Sequence, residues 1–450
     1  MKNSWKQLLR SSSLRKKIAL TLGLIVVYKL LSVIPVPGVS NDSLASMRTV
    51  FSAQPGLAFF SSLMGGSLER FSIILMGLSP YINASIILQL LSVVVPKLEE
   101  IKKEGASGQK KINTYTRILT VPLAFVQSYG MILLLNSLTS IPVVDTSDWT
   151  LLLSMMTTIT AGTIFLMWLG EQINESGIGN GISMIIFAGV LAEVPGRIAT
   201  QLGSVDWSGS FGGIFTQMLP FLGLLVATLL VIYIIIRFTE GYRRIPLVYT
   251  RTGRDERSYF PIRISQAGMV PIIFAMSLVT FPYIIGQAIA LRSAGMPAFV
   301  RSAADLMVQI FNPNAPTWWF VIIFVVLVLG FSFFYISITF DTKEVADGIQ
   351  KRGGYIPGIR PGRQTADYLR KVSNHLNFFG GSFIALVAVF PYVATLVNNA
   401  LKARNIPALD IAQIDFLVSG AGLIIVVGVI LELLRKFKAE SQSYDYRNFY

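Results

Sequence analysis

The 450-residue sequence predicts an all-α polytopic membrane protein with ten transmembrane helices in two inverted five-helix halves. The composition indicates a membrane protein, because 53% of the residues are hydrophobic and only 14% are charged, whereas soluble domains carry about 25% charged residues. The spacing of long apolar runs between clusters of Lys and Arg then sets the number and direction of the spans.

Nine apolar runs approach the length of about 17–25 residues that a helix needs to cross the hydrocarbon. In chain order they cover roughly 18–34, 71–95, 118–138, 151–169, 218–236, 269–290, 318–340, 378–396 and 416–434. A shorter tenth run, Ile182–Val194, follows the glycines of "GIGNGIS". We interpret this run as the fifth span, lining a cavity inside the bundle, with a re-entrant hairpin as the alternative.

The first run is interpreted as a retained span. It exceeds the apolar core of about 7–15 residues in a signal peptide, and the "PVPGVS" that follows lacks a small-x-small cleavage signature.

With ten spans, most of the basic residues fall on the same side of the membrane. Net charge is +14, and most of the 38 Lys and Arg lie in five segments. These are 1–17, 96–117, 237–266, 341–371 and 435–450. The positive-inside rule places all five in the cytosol when there are ten spans, whereas nine spans would put the basic segments after the omitted span outside.

This count predicts the organisation of the chain. A cytosolic segment 1–17 precedes an N-terminal half 18–196. A C-terminal half 218–434 carries cytosolic loops 237–266 and 341–371, and a cytosolic tail 435–450 follows. Five spans per half is an odd number, so the halves are expected to be inverted.

Several function classes are disfavoured. The chain has no cysteine and one histidine, His375, which leaves no thiolate or multi-histidine metal site. No Asp, Glu or His lies mid-span, which weakens an ion-coupled transporter. The stretch "EGASGQKK" has the wrong spacing for a phosphate loop, and His375 has no evident nucleophile partner. We therefore expect no enzyme activity and no cofactor.

One predicted span has an unusually polar edge. In "SPYINASIILQLL" and the residues after it, Tyr81, Ser85, Gln89 and Ser92 recur at helical spacing, with Ile82 and Ile86 stacked beside them. The polar residues are explained either as hydrogen-bonding glue between helices or as the border of a water-filled path that the isoleucines narrow. From the residues alone both explanations stay open.

Seven stretches in order resemble one known family. They are "IPVPGV" (34–39), "GGSLERFSI" (65–73), "PYINASIILQLL" (80–91), "FLMWLGEQINESGIGNGIS" (165–183), "RRIPLVY" (243–249), "GMVPIIFA" (268–275) and "GYIPGIRPGRQTADYL" (354–369). Together they resemble the SecY family of bacterial protein-translocation channel subunits over nearly the whole chain.

The resemblance implies a central hourglass pore that opens sideways to lipid between spans two and seven. It also implies an aliphatic pore ring, formed by Ile82, Ile86, Ile186, Val190, Ile273 and Ile425. A plug at about 60–71 would include Ser62, Leu63, Met64, Gly65, Gly66 and Ser67. The lateral gate would include Ser85, Gln89 and Gln127.

The two large basic loops resemble the family's docking surface for the ribosome, through rRNA phosphates, and for the SecA motor ATPase. The residues assigned to it are Arg243, Arg244, Arg352, Arg360 and Arg363. The glycines and prolines of "KRGGYIPGIRPGRQ" independently predict rigidly displayed arginines, which suit phosphates or carboxylates.

The family comparison further implies SecE and SecG as small membrane subunits and unfolded preprotein as the substrate. It places the chain in the bilayer of the bacterial inner membrane, with both termini in the cytosol. The alternative function class is a secondary transporter that binds a small solute at Ser85, Gln89 and Gln127.

Overall fold

The computed structural model describes residues 12–53, 68, 70–139, 142–145, 148–203, 211–251, 254–291, 297–313, 315–403 and 420–447. The chain forms two compact units. The first contains Met1–Leu222, Ser277–Phe320 and Leu417–Tyr450, and the second contains Gly223–Met276 and Val321–Phe416. The expected division into two inverted halves stays a prediction.

Helices make up most of the described chain. In chain order they are α1 Ser12–Leu31, α2 Asn41–Ala53, α3 Ser79–Val94, α4 Pro96–Lys103, α5 Ala106–Leu138, α6 Trp149–Ser176, α7 Gly181–Gly203, α8 Phe211–Thr239, α9 Val270–Leu291, α10 Ala298–Phe311, α11 Trp318–Thr339, α12 Thr342–Lys351, α13 Arg363–Ala403 and α14 Gly420–Arg447.

A helix lies over each of the ten predicted runs, but fewer qualify as spans on their own. Among the described residues, six helices are long and apolar enough to cross a membrane, or seven if the bent pair α3 and α4 counts as one. The two members of that pair meet at an angle of 102°. The tenth run lies within the single helix α7 rather than in a hairpin.

The second predicted span begins later than its hydropathy suggests. Residues 71–78 form turns, and α3 starts at Ser79 with a proline in its first turn. Proline suits that position because the first helical turn has no use for its missing N–H. Residues 71–78 pack into the first unit, where Phe71 and, just before this segment, Leu68 are fully buried.

The all-α prediction is wrong in one region, since a three-stranded antiparallel sheet forms outside the spans. Its strands are β1 Tyr242–Arg251, β2 Arg254–Arg263 and β3 Gly354–Tyr355, in the order β2-β1-β3. The inner face of β1 carries Ile245 and Leu247, which pack with residues of α13 and the loop before it. Alternation of these apolar residues with exposed Arg244 and Pro246 is the period-2 pattern of a half-buried strand.

Two aspartates fix the starts of helices α6 and α12. The Asp148 carboxylate accepts hydrogen bonds from the N–H groups of Thr150 and Leu151, at 2.9 and 3.3 Å, at the start of α6. Asp341 does the same for the first turn of α12. Each carboxylate satisfies N–H groups that the first helical turn leaves unpaired.

Candidate functional site

Three residues of the polar edge of α3, Ser85, Gln89 and Ser92, form hydrogen bonds within their own helix. The Gln89 side-chain Nε2 donates to the Ser85 hydroxyl at 3.0 Å, and the Ser92 hydroxyl donates to the Gln89 carbonyl at 2.7 Å. In the described part of the chain, none of these three side chains bonds to another helix. The structure therefore does not show the bonds that hydrogen-bonding glue between helices would require.

A cavity of about 210 Å³ lies in the first unit where α3, α5 and α9 meet. These helices are the predicted spans two, three and seven. The walls are mostly apolar, and besides Tyr129 they include the polar residues Ser79, Asn83, Gln127, Ser277 and Thr280. Beside the cavity α5 and α9 are in close contact, because a Cβ atom at Gly130 would overlap the Ile284 side chain.

Gln127 is the polar group of this cavity that stands out. The residue is 5% exposed, and within the described part of the chain neither its amide oxygen nor its amide nitrogen has a hydrogen-bond partner. Leaving a buried amide unpaired costs about 1–3 kcal/mol. Such a group favours any state in which water or a polar guest enters the cavity, because either one would satisfy it.

The structure separates the residues that the sequence grouped as a gate. Gln127 lines the cavity, whereas Ser85 and Gln89 do not. Sequence reasoning missed four small polar residues that line it, namely Ser79, Asn83, Ser277 and Thr280. Ser79 and Asn83 belong to the stretch "SPYINASIILQLL". Their i, i+4 spacing, which puts them on one side of α3, was the signal that could have identified them.

The six residues assigned to the pore ring differ in burial. Ile86, Ile186, Val190 and Ile425 are buried, and Ile82 and Ile273 are half-buried. Within the first unit, α7 and α14 pack against each other, and these helices carry three of the four buried residues. Burial is common to a shut constriction and to ordinary helix packing, so the ring stays a prediction.

The plug residues Ser62, Leu63, Met64, Gly65, Gly66 and Ser67 lie outside the described residues. The chain on their C-terminal side is firmly packed, since Leu68 and Phe71 belong to the core of the first unit.

The first two docking arginines, Arg243 and Arg244, are exposed on β1. The Arg244 guanidinium carbon lies 5.3 Å from the ring centroid of Tyr242 and 5.0 Å from that of Tyr259. Its Nη2 also donates to the Tyr242 hydroxyl at 2.9 Å, a bond that raises the pKa of Arg244 above its usual range. These contacts hold the guanidinium in one orientation on the outer face of the sheet.

The other three, Arg352, Arg360 and Arg363, lie in and beside the turn between α12 and α13. All three are exposed, and in this described region none has a carboxylate within salt-bridge distance. The turn is fixed by Gly358 and Gly362, whose φ angles are +80° and +90°, a region that residues with a Cβ rarely adopt. The Thr365 hydroxyl also donates to the Arg360 carbonyl at 3.0 Å.

Known proteins are similar to this chain over its length. A family model described as SecY matches residues 72–434. The protein translocase subunit SecY of Streptomyces scabiei is 36% identical over 465 residues, covering 100% of both chains.

Two solved structures show the same fold. One is of a SecY whose plug domain stabilises the closed state of the translocation channel, with 18% identity and a TM-score of 0.66. The other is canine Sec61 in a ribosome–channel complex, with 16% identity and a TM-score of 0.59. Each match covers 96% of this chain and 93% of the other.

Replacing Gln127 by leucine is expected to stabilise the resting protein. The substitution replaces an unpaired buried amide with an apolar side chain that still fills the cavity. The free energy of unfolding should therefore rise by about 1–3 kcal/mol. The midpoint of thermal unfolding of the detergent-purified protein measures it. The control is Gln89→Leu, which removes an amide that already has a hydrogen-bond partner. This variant should not show the same rise in the free energy of unfolding. A midpoint that does not rise for Gln127→Leu would contradict the cavity assignment.

Proposed function

This chain belongs to the SecY family, and on that premise we propose that it is the pore-forming subunit that conducts unfolded polypeptides across the membrane. Signal or transmembrane helices leave it sideways into lipid. The observation that carries the proposal is the cavity between α3, α5 and α9. A cavity with an unpaired amide at the predicted gate is unlike the dry, filled contact between helices that never separate.

The physical task is to remove the cost of moving an extended backbone through hydrocarbon. Each unpaired N–H or C=O costs several kcal/mol in lipid, so an unfolded chain does not cross the bilayer directly. A path that admits water lets those groups stay hydrated. A helix of about 20 apolar residues has its backbone groups paired and partitions into lipid instead.

The pore ring acts as a seal without sequence preference. Aliphatic contacts are non-directional and depend on apolar area, so one ring closes around many different chains. With no chain present, the same side chains shut the path by excluding water. We assign this role to Ile82, Ile86, Ile186, Val190, Ile273 and Ile425, with the plug at about 60–71 as a second barrier.

The gate is proposed to open where α3 and α9 part. Gln127 and the Ser85–Gln89 edge of α3 would then face water or the polar backbone of a passing chain. Opening would give the Gln127 amide the partners that it lacks in the resting state, which offsets part of the cost of separating apolar helices.

Orientation and location follow the charge distribution. We propose ten spans in two inverted halves, both termini and the basic loops in the cytosol, and the bacterial inner membrane as the location. The sheet of β1, β2 and β3 and the turn before α13 then extend from the cytosolic side, which fits their exposed arginines.

Partners supply the energy in this proposal. The arginines at 243, 244, 352, 360 and 363 would dock the ribosome through rRNA phosphates, and the SecA motor ATPase. SecE and SecG would accompany the chain as small membrane subunits. The similarity to Sec61 in a ribosome–channel complex supports the ribosome as a partner.

Polar substitution in the ring is expected to make the resting channel leak. Ile425→Asn or Ile273→Asn places an amide in the constriction and favours water there. Ion conductance of the reconstituted resting channel in planar bilayers should rise, while Ile425→Leu, which conserves volume, should stay near the parent value. Unchanged conductance in both asparagine variants would count against the ring.

Reversing the charge at Arg360 is expected to weaken docking. Arg360→Glu should lower the affinity of the reconstituted channel for ribosomes and for the motor, with the larger loss at low salt, because exposed charges are screened at high ionic strength. A binding titration at two salt concentrations measures this. The matched control is Arg370→Glu, on the exposed surface of α13 beside Asp367. Equal affinities for both variants would refute the assignment of Arg360.

A further inference from the structure

Helix α10, Ala298–Phe311, follows α9 and precedes α11 in the chain, and among the described residues one of its sides packs against the core of the first unit. Ala304 is buried, and Val308 and Phe311 pack against the core of the first unit. The Ala304 carbonyl lies against Gly286 of α9, where a Cβ would be only 3.0 Å from it. These residues recur at helical spacing and attach α10 to the C-terminal half of α9.

A second apolar face of α10 is left uncovered. Phe299, Ala303, Leu306 and Ile310 recur at i, i+4, i+7 and i+11 and therefore share one side of the helix. Phe299 is 82% exposed and Leu306 is 58% exposed. The neighbouring Met307 is also exposed, at 36%.

Polar residues complete the circumference of α10. Arg301, Ser302, Asp305 and Gln309 form a contiguous exposed strip. The helix thus has a core face, a bare apolar face and a polar face. With 14 residues it is shorter than the about 20 that cross the hydrocarbon, so it is suited to lie along a membrane surface.

We propose that the bare apolar face of α10, formed by Phe299, Ala303, Leu306 and Ile310, lies in the headgroup–acyl boundary of the bilayer. The occupant is inferred to be lipid because α10 is attached to a candidate membrane span whose own apolar side chains are exposed. Leu278 and Ile285 are exposed on the spanning helix α9, to which α10 is attached. Only residues 312–317 separate α10 from Trp318 and Trp319, exposed at the first turn of the spanning helix α11.

Trp318 and Trp319 indicate how deep α10 lies in the bilayer. Exposed Trp at the end of a span marks the membrane–water interface, and an interfacial helix buries its apolar face about 5–10 Å into that boundary. The helix therefore ties the C-terminal half of α9 to the lipid surface. This inference rests on the membrane-spanning character of α9 and α11, and it does not depend on conduction of polypeptide.

The absence of cysteine from the chain permits a direct test. Leu306→Cys, on the bare apolar face, and Ser302→Cys, on the polar strip, are labelled with an environment-sensitive fluorophore in the full-length protein. The labelled proteins are reconstituted into vesicles of phosphatidylethanolamine and phosphatidylglycerol. Quenching is then measured with iodide in the water and with nitroxides attached near the head or at the end of lipid acyl chains.

We expect the label at 306 to be quenched several-fold more by the nitroxide near the lipid head than by iodide, and the label at 302 to show the reverse. Equal iodide quenching at both positions would overturn the proposal, because the apolar face would then lie in water. Protection of position 306 from iodide and from both lipid quenchers would also overturn it, since protein would then cover the face. Phe299→Cys repeats the test if Leu306→Cys fails to fold.

Discussion

In hydrocarbon every backbone N–H and C=O must be paired within the protein, and the fold follows this constraint. Residues 71–78 are irregular, but they border a span and lie inside the core of the first unit, with Phe71 and Ser72 fully buried. The sheet of β1, β2 and β3 lies outside the spanning helices. A polypeptide that crosses the membrane faces the same constraint. Unlike the channel it has no structure of its own to satisfy it, so a hydrated path must supply the partners that lipid lacks.

A buried polar group lies at the place where the path is proposed to open. Gln127 is buried without a partner in a cavity bordered by α3, α5 and α9. An isolated polar group of this kind is rare in a dry helix contact, because packing and pairing normally remove it. It makes sense in a contact that exchanges between a closed and a hydrated state. Helix α10 adds a second constraint on α9, since its exposed apolar face is proposed to connect the C-terminal half of that helix to the lipid interface.

The sequence predicted the helices well because apolar run length and charge position are strong signals in membrane proteins. It predicted Gln127 as a gate residue through family resemblance, and the structure places that residue in the cavity. Ser85 and Gln89 were grouped with Gln127 by the same resemblance. Their helical spacing shows that they share one side of α3, but it does not say where that side meets a neighbouring helix. The strands at 242–263 were missed because their many basic residues indicated a cytosolic loop. The alternation of Ile245 and Leu247 with exposed residues is short and was a weak strand signal. The plug residues 62–67 lie outside the described chain, so that prediction stands untested.

The central claim is that aliphatic side chains such as Ile86 face a passing polypeptide. A photo-crosslinking residue at position 86 in a channel holding a stalled precursor tests it most directly. Position 94 on the same helix is the control, because Val94 is 77% exposed at the end of α3. The account predicts that position 86 crosslinks to many successive residues of the precursor, while position 94 does not. Crosslinks from position 86 only to other helices of the channel would contradict the account.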